Sequence, residues 1–192
     1  MELSKLKGNN HIMLDIESLG ARYGAVVTSI GLVQFNPLSG ETYFEDKWNL
    51  NIQEQINLGG KIDGSTLQWW FNQCKDAQEA MFKDPIMVKD VTRSIWHFAN
   101  LVASDCLIDR KDIVWWANGS GFDFTLTNWL FDVTKGIAPW HYRNLWDLRT
   151  LKNMIGWRAP DEWFEEIVQH DALADCKLQV RMLKEVLENL YK

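Results

Sequence analysis

The chain has 192 residues, 46% of them hydrophobic and 24% charged, which fits one soluble globular domain over residues 1–192. Its formal net charge of −6 argues against tight, non-specific binding of duplex nucleic acid through phosphate neutralisation. Three scattered cysteines without CxxC spacing exclude a disulfide framework or zinc site. No apolar run reaches the length of a membrane span. We therefore expect a cytoplasmic protein with no membrane partner.

The first fifty residues predict three consecutive strands. The segment 11–16 is short and apolar and ends in acids, and the segment 25–35 is rich in β-branched residues. A turn cluster at 36–40 separates this second strand from an alternating segment at 41–50. Three strands in succession predict an antiparallel meander.

After residue 63 the pattern changes to helices separated by short strands. With consecutive helices counted together, the resulting order is βββ-α-β-α-β-α, which predicts an α/β fold in which helices cover a mixed sheet. The predicted helices are 66–74, 86–104, 122–134, 147–155 and 171–190, and the predicted strands are 112–117 and 144–146.

The chain contains 11 tryptophans, which is an unusual number, and some of them must fill the core. Large aromatic side chains are mostly core residues, but aromatic faces also stack on bases, so nucleic-acid binding is one class to consider. Trp69 and Trp70 begin a predicted helix and lie on adjacent faces, so both cannot point into the core. We expect one to be buried and the other exposed.

Two acids, Asp15 and Glu17, end the first predicted strand and point to the same face because they are two residues apart. Paired carboxylates on an otherwise apolar strand are costly unless a cation lies between them, although a solvent-facing strand end would also accommodate them. Asp123 lies at the junction of a buried strand and a helix, where a helix N-cap is the alternative.

The final predicted helix carries the remaining candidates. Asp171 and Asp175 are spaced i, i+4 and share a helix face, and His170 lies just before the helix. A lone histidine at a helix boundary is usually a cap or a surface residue. Together with the four acids Asp15, Glu17, Asp123 and Asp175 it indicates a catalytic site.

The order and spacing of these residues resemble the DEDDh 3′-5′ exonucleases, in particular the phage exonuclease A and exonuclease VIII type and the AS-type exoribonucleases. The chain departs from many members at Ser18-Leu19, where threonine or phenylalanine is common. The motifs that carry the resemblance span nearly the whole chain: DIESLG at 15–20, LQWWFNQ at 67–73, WANGSGFD at 116–123, LWDLRTL at 145–151 and HDALADC at 170–176.

The resemblance implies an RNase H-like fold, with an antiparallel meander plus parallel strands flanked by helices, in a phage-encoded or bacterial protein. It implies a two-metal mechanism with two divalent cations, Mg²⁺ or Mn²⁺, and His170 as the general base. Asp15, Glu17, Asp123 and Asp175 would be catalytic and would hold the metal.

The implied substrate is the 3′ end of single-stranded nucleic acid, with DNA favoured, cleaved to nucleoside 5′-monophosphates. An AS-type exoribonuclease and a non-catalytic RNase H-like binding module are the alternatives, and the AS-type relatives imply a homodimer. Binding of divalent cations discriminates an enzyme from a module. The matched motifs also hold six candidate substrate-binding residues, although Asn118 could equally be a core hydrogen-bonding residue: Ser18, Leu19, Trp69, Trp70, Asn118 and Arg149.

Overall fold

The computed structural model describes residues 6–167 and 170–191. Its centre is a five-stranded sheet in the order β3-β2-β1-β4-β5. The first three strands pair antiparallel, whereas β4 pairs parallel with β1 and β5 parallel with β4. This confirms the predicted mixed sheet. The strands are β1 (His11–Ser18), β2 (Val27–Phe35), β3 (Thr42–Asn49), β4 (Val114–Ala117) and β5 (Leu145–Asp147).

Five of the helices match the predicted segments, with ends that shift by a few residues. They are α2 (Gly64–Trp70), α4 (Val88–Cys106), α5 (Ser120–Val133), α6 (Leu148–Met154) and α8 (Ala172–Leu190). Three short α-helices among the described residues were not predicted, because four to six residues carry too little periodicity to be recognised in a sequence. They are α1 (Ile52–Asn57), α3 (Lys75–Ala80) and α7 (Glu162–Glu165).

Two apolar clusters, one on each face of the sheet, form the core. Helices α4 and α5 pack on one face, and α6 and α8 pack on the other. Strand β1 contributes to both because its side chains alternate: Ile12 and Leu14 lie in the first cluster, and Met13 lies in the second. By this alternation Asp15 and Glu17 continue the row of Met13 and point toward α8.

A gap in the sheet lies beside these acids, next to the end of the central strand β1. β4 pairs with β1 from His11 to Met13, and none of the described residues forms a strand beside the last part of β1 on that side. The start of α5 and the start of α8 lie near this unpaired segment.

Within the described part of the chain, no helix combines the length and apolarity that a membrane span requires.

Candidate active site

A row of three residues across the sheet determines where α8 lies. Asp15 of β1 is opposite Gly31 of β2, which in turn is opposite Lys47 of β3. A Cβ at Gly31 would lie 2.3 Å from the carbonyl oxygen of Ala172, so only glycine lets the start of α8 approach the sheet this closely. The last helix therefore begins directly over the acids of β1.

The start of α8 brings the histidine and the last aspartate to that place. Asp171 is the N-cap and accepts hydrogen bonds from the amides of Leu173 and Ala174, both at 3.1 Å. Its second oxygen contacts Lys47 Nζ at 2.6 Å. Asp171 thus holds the helix start, and Asp175, rather than Asp171, is the acid of this helix that joins the cluster.

His170 immediately precedes the N-cap and adopts the left-handed conformation with φ of 64°. Its backbone amide donates to Asp175 Oδ2 at 3.2 Å, and its Nδ1 lies 3.9 Å from Glu17 Oε1. Glu17, His170 and Asp175 each offer a ligand atom within 4.8 Å of the others. The structure therefore brings together residues from opposite ends of the chain.

Asp123 reaches the cluster from the first turn of α5. Gly119 is the N-cap of this helix, so the alternative role of Asp123 as N-cap is excluded. Asp147 accepts a hydrogen bond from the Ser120 amide and so attaches the start of α5 to β5. Asp123 is only 4% exposed. Burying a carboxylate to this extent beside other acids costs free energy unless an opposite charge or hydrogen bonds offset it.

Burial is the main cause that raises the pKa of all four carboxyl groups, and repulsion from neighbouring acids adds to it. For Asp15, burial and then the charges of Asp123, Glu17 and Asp175 raise the pKa well above its usual value. Burial followed by repulsion from Asp175 raises the pKa of Glu17 to about 8. Mainly through burial, the pKa of Asp123 rises to about 7 and that of Asp175 to about 6. Packing these carboxyl groups together therefore disfavours their charged forms.

These residues fit the divalent cations that the DEDDh resemblance implies. The carboxylates supply hard oxygen ligands, which suit Mg²⁺ or Mn²⁺ better than zinc. Bound cations would relieve the repulsion that raises the carboxyl pKa values. Both the oxygen ligands and the electrostatics of the cluster therefore favour the binding of divalent cations.

The two tryptophans of α2 divide as expected, one buried and one exposed. Trp70 is 3% exposed and donates from Nε1 to the Ser18 carbonyl at 2.9 Å. Trp69 is 43% exposed, and its ring centroid lies 4.7 Å from that of His170 in an edge-on arrangement. The surface that Trp69 presents to solvent therefore adjoins the histidine.

Ser18 and Leu19 are both buried beneath this surface. The Ser18 hydroxyl donates to the Gly20 carbonyl at 2.7 Å, so it holds the turn after β1. Leu19 packs in a small apolar cluster with Trp70 and Met81. It also lines an apolar pocket of about 250 Å³ whose wall includes the exposed side chain of Phe71.

The last two predicted substrate-binding residues lie near the start of α5, beside its N-cap Gly119. Asn118 follows β4, and its Oδ1 is buried without a hydrogen-bond partner among the described residues. A core hydrogen bond through Oδ1 is therefore not made. Arg149 is exposed, and its guanidinium lies over Gly119, where its charge partly opposes the rise that burial causes in the pKa of Asp123.

Three residues of the site were not predicted from the sequence: Gly31, Lys47 and Gln179. The Gln179 amide donates from Nε2 to Asp15 Oδ1 at 2.7 Å. Its position one turn after Asp175, on the same helix face, is a signal that the sequence contains. Gly31 and Lys47 carry no such signal, because their roles depend on which strands are neighbours.

Four acids and a histidine on the central strand, the helix after β4 and the last helix define a DEDDh-type nuclease. The sequence matches the family described as the 3′-5′ exoribonuclease Rv2179c-like domain over residues 10–187, and the chain belongs to this family. It is thus a 3′-5′ exonuclease, as the sequence motifs predicted. An exodeoxyribonuclease of Enterobacteria phage T4 is 25% identical over 204 residues, covering 91% of this chain and 88% of the phage protein.

Solved exonuclease structures share the fold, which is the predicted RNase H-like one. The nuclease domain of 3′hExo, a DEDDh family member bound to rAMP, superimposes with a TM-score of 0.59 at 11% identity, covering 93% of this chain and 92% of that one. Exonuclease X in complex with 5′ overhanging duplex DNA gives a TM-score of 0.57 at 15% identity, with 95% and 93% coverage. Product-bound exonuclease I gives 0.62 at 11% identity and covers 94% of this chain and 45% of that protein.

Proposed function

We propose that this chain is a single exonuclease domain that removes nucleoside 5′-monophosphates from the 3′ end of single-stranded nucleic acid with the help of two divalent cations. The observation that carries the proposal is the convergence of the acids of β1, α5 and α8 beside His170. The raised pKa values of these carboxyl groups support it, because bound cations would favour their charged forms.

Asp15, Glu17, Asp123 and Asp175 would hold the cations, which we propose to be Mg²⁺ or Mn²⁺. Bound there, two such ions would polarise a phosphodiester and would stabilise the charge that develops on the attacking and leaving oxygens. The protein keeps the carboxylates in place through α8, which begins at Asp171, and α5, which begins after Gly119.

His170 would act as the general base. Burial lowers the pKa of its imidazole, so the ring is neutral at pH 7 and able to accept a proton. Nδ1 is the nitrogen that faces Glu17, at 3.9 Å from Oε1, and is the atom to which the attacking water would give its proton. The edge-on contact with Trp69 restricts the rotation of the ring.

The surface beside His170 would hold the terminal nucleobase. Trp69 presents an exposed aromatic face, whereas Trp70 is buried, so stacking on a base falls to Trp69. The apolar pocket lined by Leu19 and Phe71 is a neighbouring wall. In this arrangement Trp70 and Ser18 support the site from below, and Asn118 and Arg149 lie on the side from which α5 contributes Asp123.

We favour single-stranded DNA as the substrate, because the similar phage protein is an exodeoxyribonuclease and the match covers most of both chains. RNA is the second candidate, because the family is described by exoribonuclease activity. The two substrates differ at the sugar 2′ position, where an enzyme distinguishes RNA from DNA.

Matched DNA and RNA oligomers labelled at the 5′ end test the proposal. We expect products that shorten stepwise from the 3′ end with Mg²⁺ or Mn²⁺, no cleavage in EDTA, and faster digestion of DNA. The Asp15→Asn variant, which keeps the shape of the side chain but removes its charge, is the matched control. Internal cleavage, or equal rates for the variant and the wild type, would contradict the proposed function.

A further inference from the structure

Gln179 lies on α8 one helical turn after Asp175 and contacts the central acid of β1. Its Nε2 donates to Asp15 Oδ1 at 2.7 Å, between residues 164 apart in the sequence. Gln179 is only 6% exposed, so this hydrogen bond lies away from competing water. One helix face therefore contributes a carboxylate, Asp175, and holds another, Asp15.

The orientation of the amide follows from its surroundings. The Gln179 Oε1 is buried without a hydrogen-bond partner among the described residues. A buried acceptor without a partner destabilises a fold, and the amide nitrogen is the end that a carboxylate attracts. The hydrogen bond to Asp15 is thus the interaction that compensates for burying this amide. It also opposes the rise in the Asp15 pKa, because it favours the charged carboxylate.

We propose that Gln179 is a positioning residue of the cation site, which holds the Asp15 carboxylate by Oδ1 and leaves Oδ2 for a cation. This inference rests on the proposed function. Gln179 contacts neither the substrate nor a cation in this role and acts only through Asp15. Because Gln179 and Asp175 are on one rigid helix, the same helix places both carboxylates relative to each other.

The Gln179→Met variant tests the role, because methionine has a similar volume and shape but no donor. We expect calorimetry with Mn²⁺ alone to show about 10-fold weaker binding than in the wild type, the lower end of the range for residues that orient metal ligands. With an oligomer substrate, we expect kcat to fall at limiting Mn²⁺ and KM for the oligomer to stay unchanged. A purely structural role would lower thermal stability without changing the binding isotherm.

Gln34→Met is the matched control. Gln34 is a fully buried glutamine that donates to Asp105 Oδ2 at 3.0 Å, and its Oε1 also has no partner among the described residues. This control should lose stability yet bind Mn²⁺ within about twofold of the wild type. If Gln179→Met does not fold, Gln179→Asn keeps the amide but shortens its reach by one methylene, and the same loss of Mn²⁺ affinity is expected.

The inference fails if the wild type binds Mn²⁺ and digests the oligomer but the folded Gln179 variants bind Mn²⁺ as tightly. The proposed function fails in a different way, namely if the wild type itself neither binds Mn²⁺ nor shortens the oligomer. Circular dichroism of each variant at the titration temperature separates a loss of cation affinity from a loss of folding.

Discussion

Replacing Gly31 by alanine should disable the site from a position that bears no functional group. The added Cβ would lie 2.3 Å from the Ala172 carbonyl oxygen and 2.7 Å from the Leu173 amide nitrogen. Ordinary contacts of this kind begin at 3.4 Å, so the first turn of α8 must retreat by about 1 Å. β2 itself cannot give way easily, because every residue of this strand is buried.

The displaced segment includes His170 and Asp175, whereas Asp15 and Glu17 remain on β1. A misplacement of about 1 Å between reacting groups can reduce a rate by about 10²-fold. We therefore expect Gly31→Ala to lower kcat by about 10–100-fold and to cost about 1–3 kcal/mol of unfolding free energy through overpacking. Single-turnover digestion of a 5′-labelled oligomer at saturating Mn²⁺, with parallel thermal melts, measures both effects.

Gly64→Ala is the matched control, because a Cβ at Gly64 meets no atom within 4 Å and the backbone is not left-handed there. This variant should keep the wild-type kcat and stability. If Gly31→Ala keeps kcat within about threefold of the wild type while its stability falls as expected, then the close approach of α8 to Gly31 does not align the site.

Three further outcomes follow from the structure. Asp15→Asn should nearly abolish digestion, whereas His170→Ala should slow turnover by about 10²–10⁴-fold; equal, mild losses in rate assays would contradict these roles. Trp69→Ala should weaken oligomer binding by about 1–3 kcal/mol with little change in stability, and Trp70→Ala should mainly lower the melting temperature. In EDTA, the free energy of unfolding should fall as pH rises from about 5 to about 8. The reason is that a carboxyl group with a raised pKa, about 8 for Glu17 against an ordinary 4.5, favours the folded protein only while it is protonated. Thermal melts that are flat across this range, or a stabilisation by Mn²⁺ that is no larger at pH 8 than at pH 5, would refute this pH dependence.

Much of the fold could be predicted from local patterns, because each long element carries its own periodicity. β1 alternates between the two faces of the sheet, so the shared face of Asp15 and Glu17 was predictable from their spacing alone. The role of Asp171 was not predicted from the sequence. This residue shares a helix spacing with Asp175, but its carboxylate caps α8 and pairs with Lys47, which spacing cannot reveal.

The sequence by itself determined the element order, the acids and histidine that could form a site, and their likeness to one exonuclease family. Only the tertiary structure decided that Gly31 admits the last helix, that Lys47 holds Asp171 and that Gln179 holds Asp15. These contacts join residues far apart in the chain, with 124 positions between Lys47 and Asp171 and 164 between Asp15 and Gln179. The physical reason is that a local pattern specifies which face a side chain occupies, whereas its partner depends on strand order and helix docking, which arise from packing the whole chain.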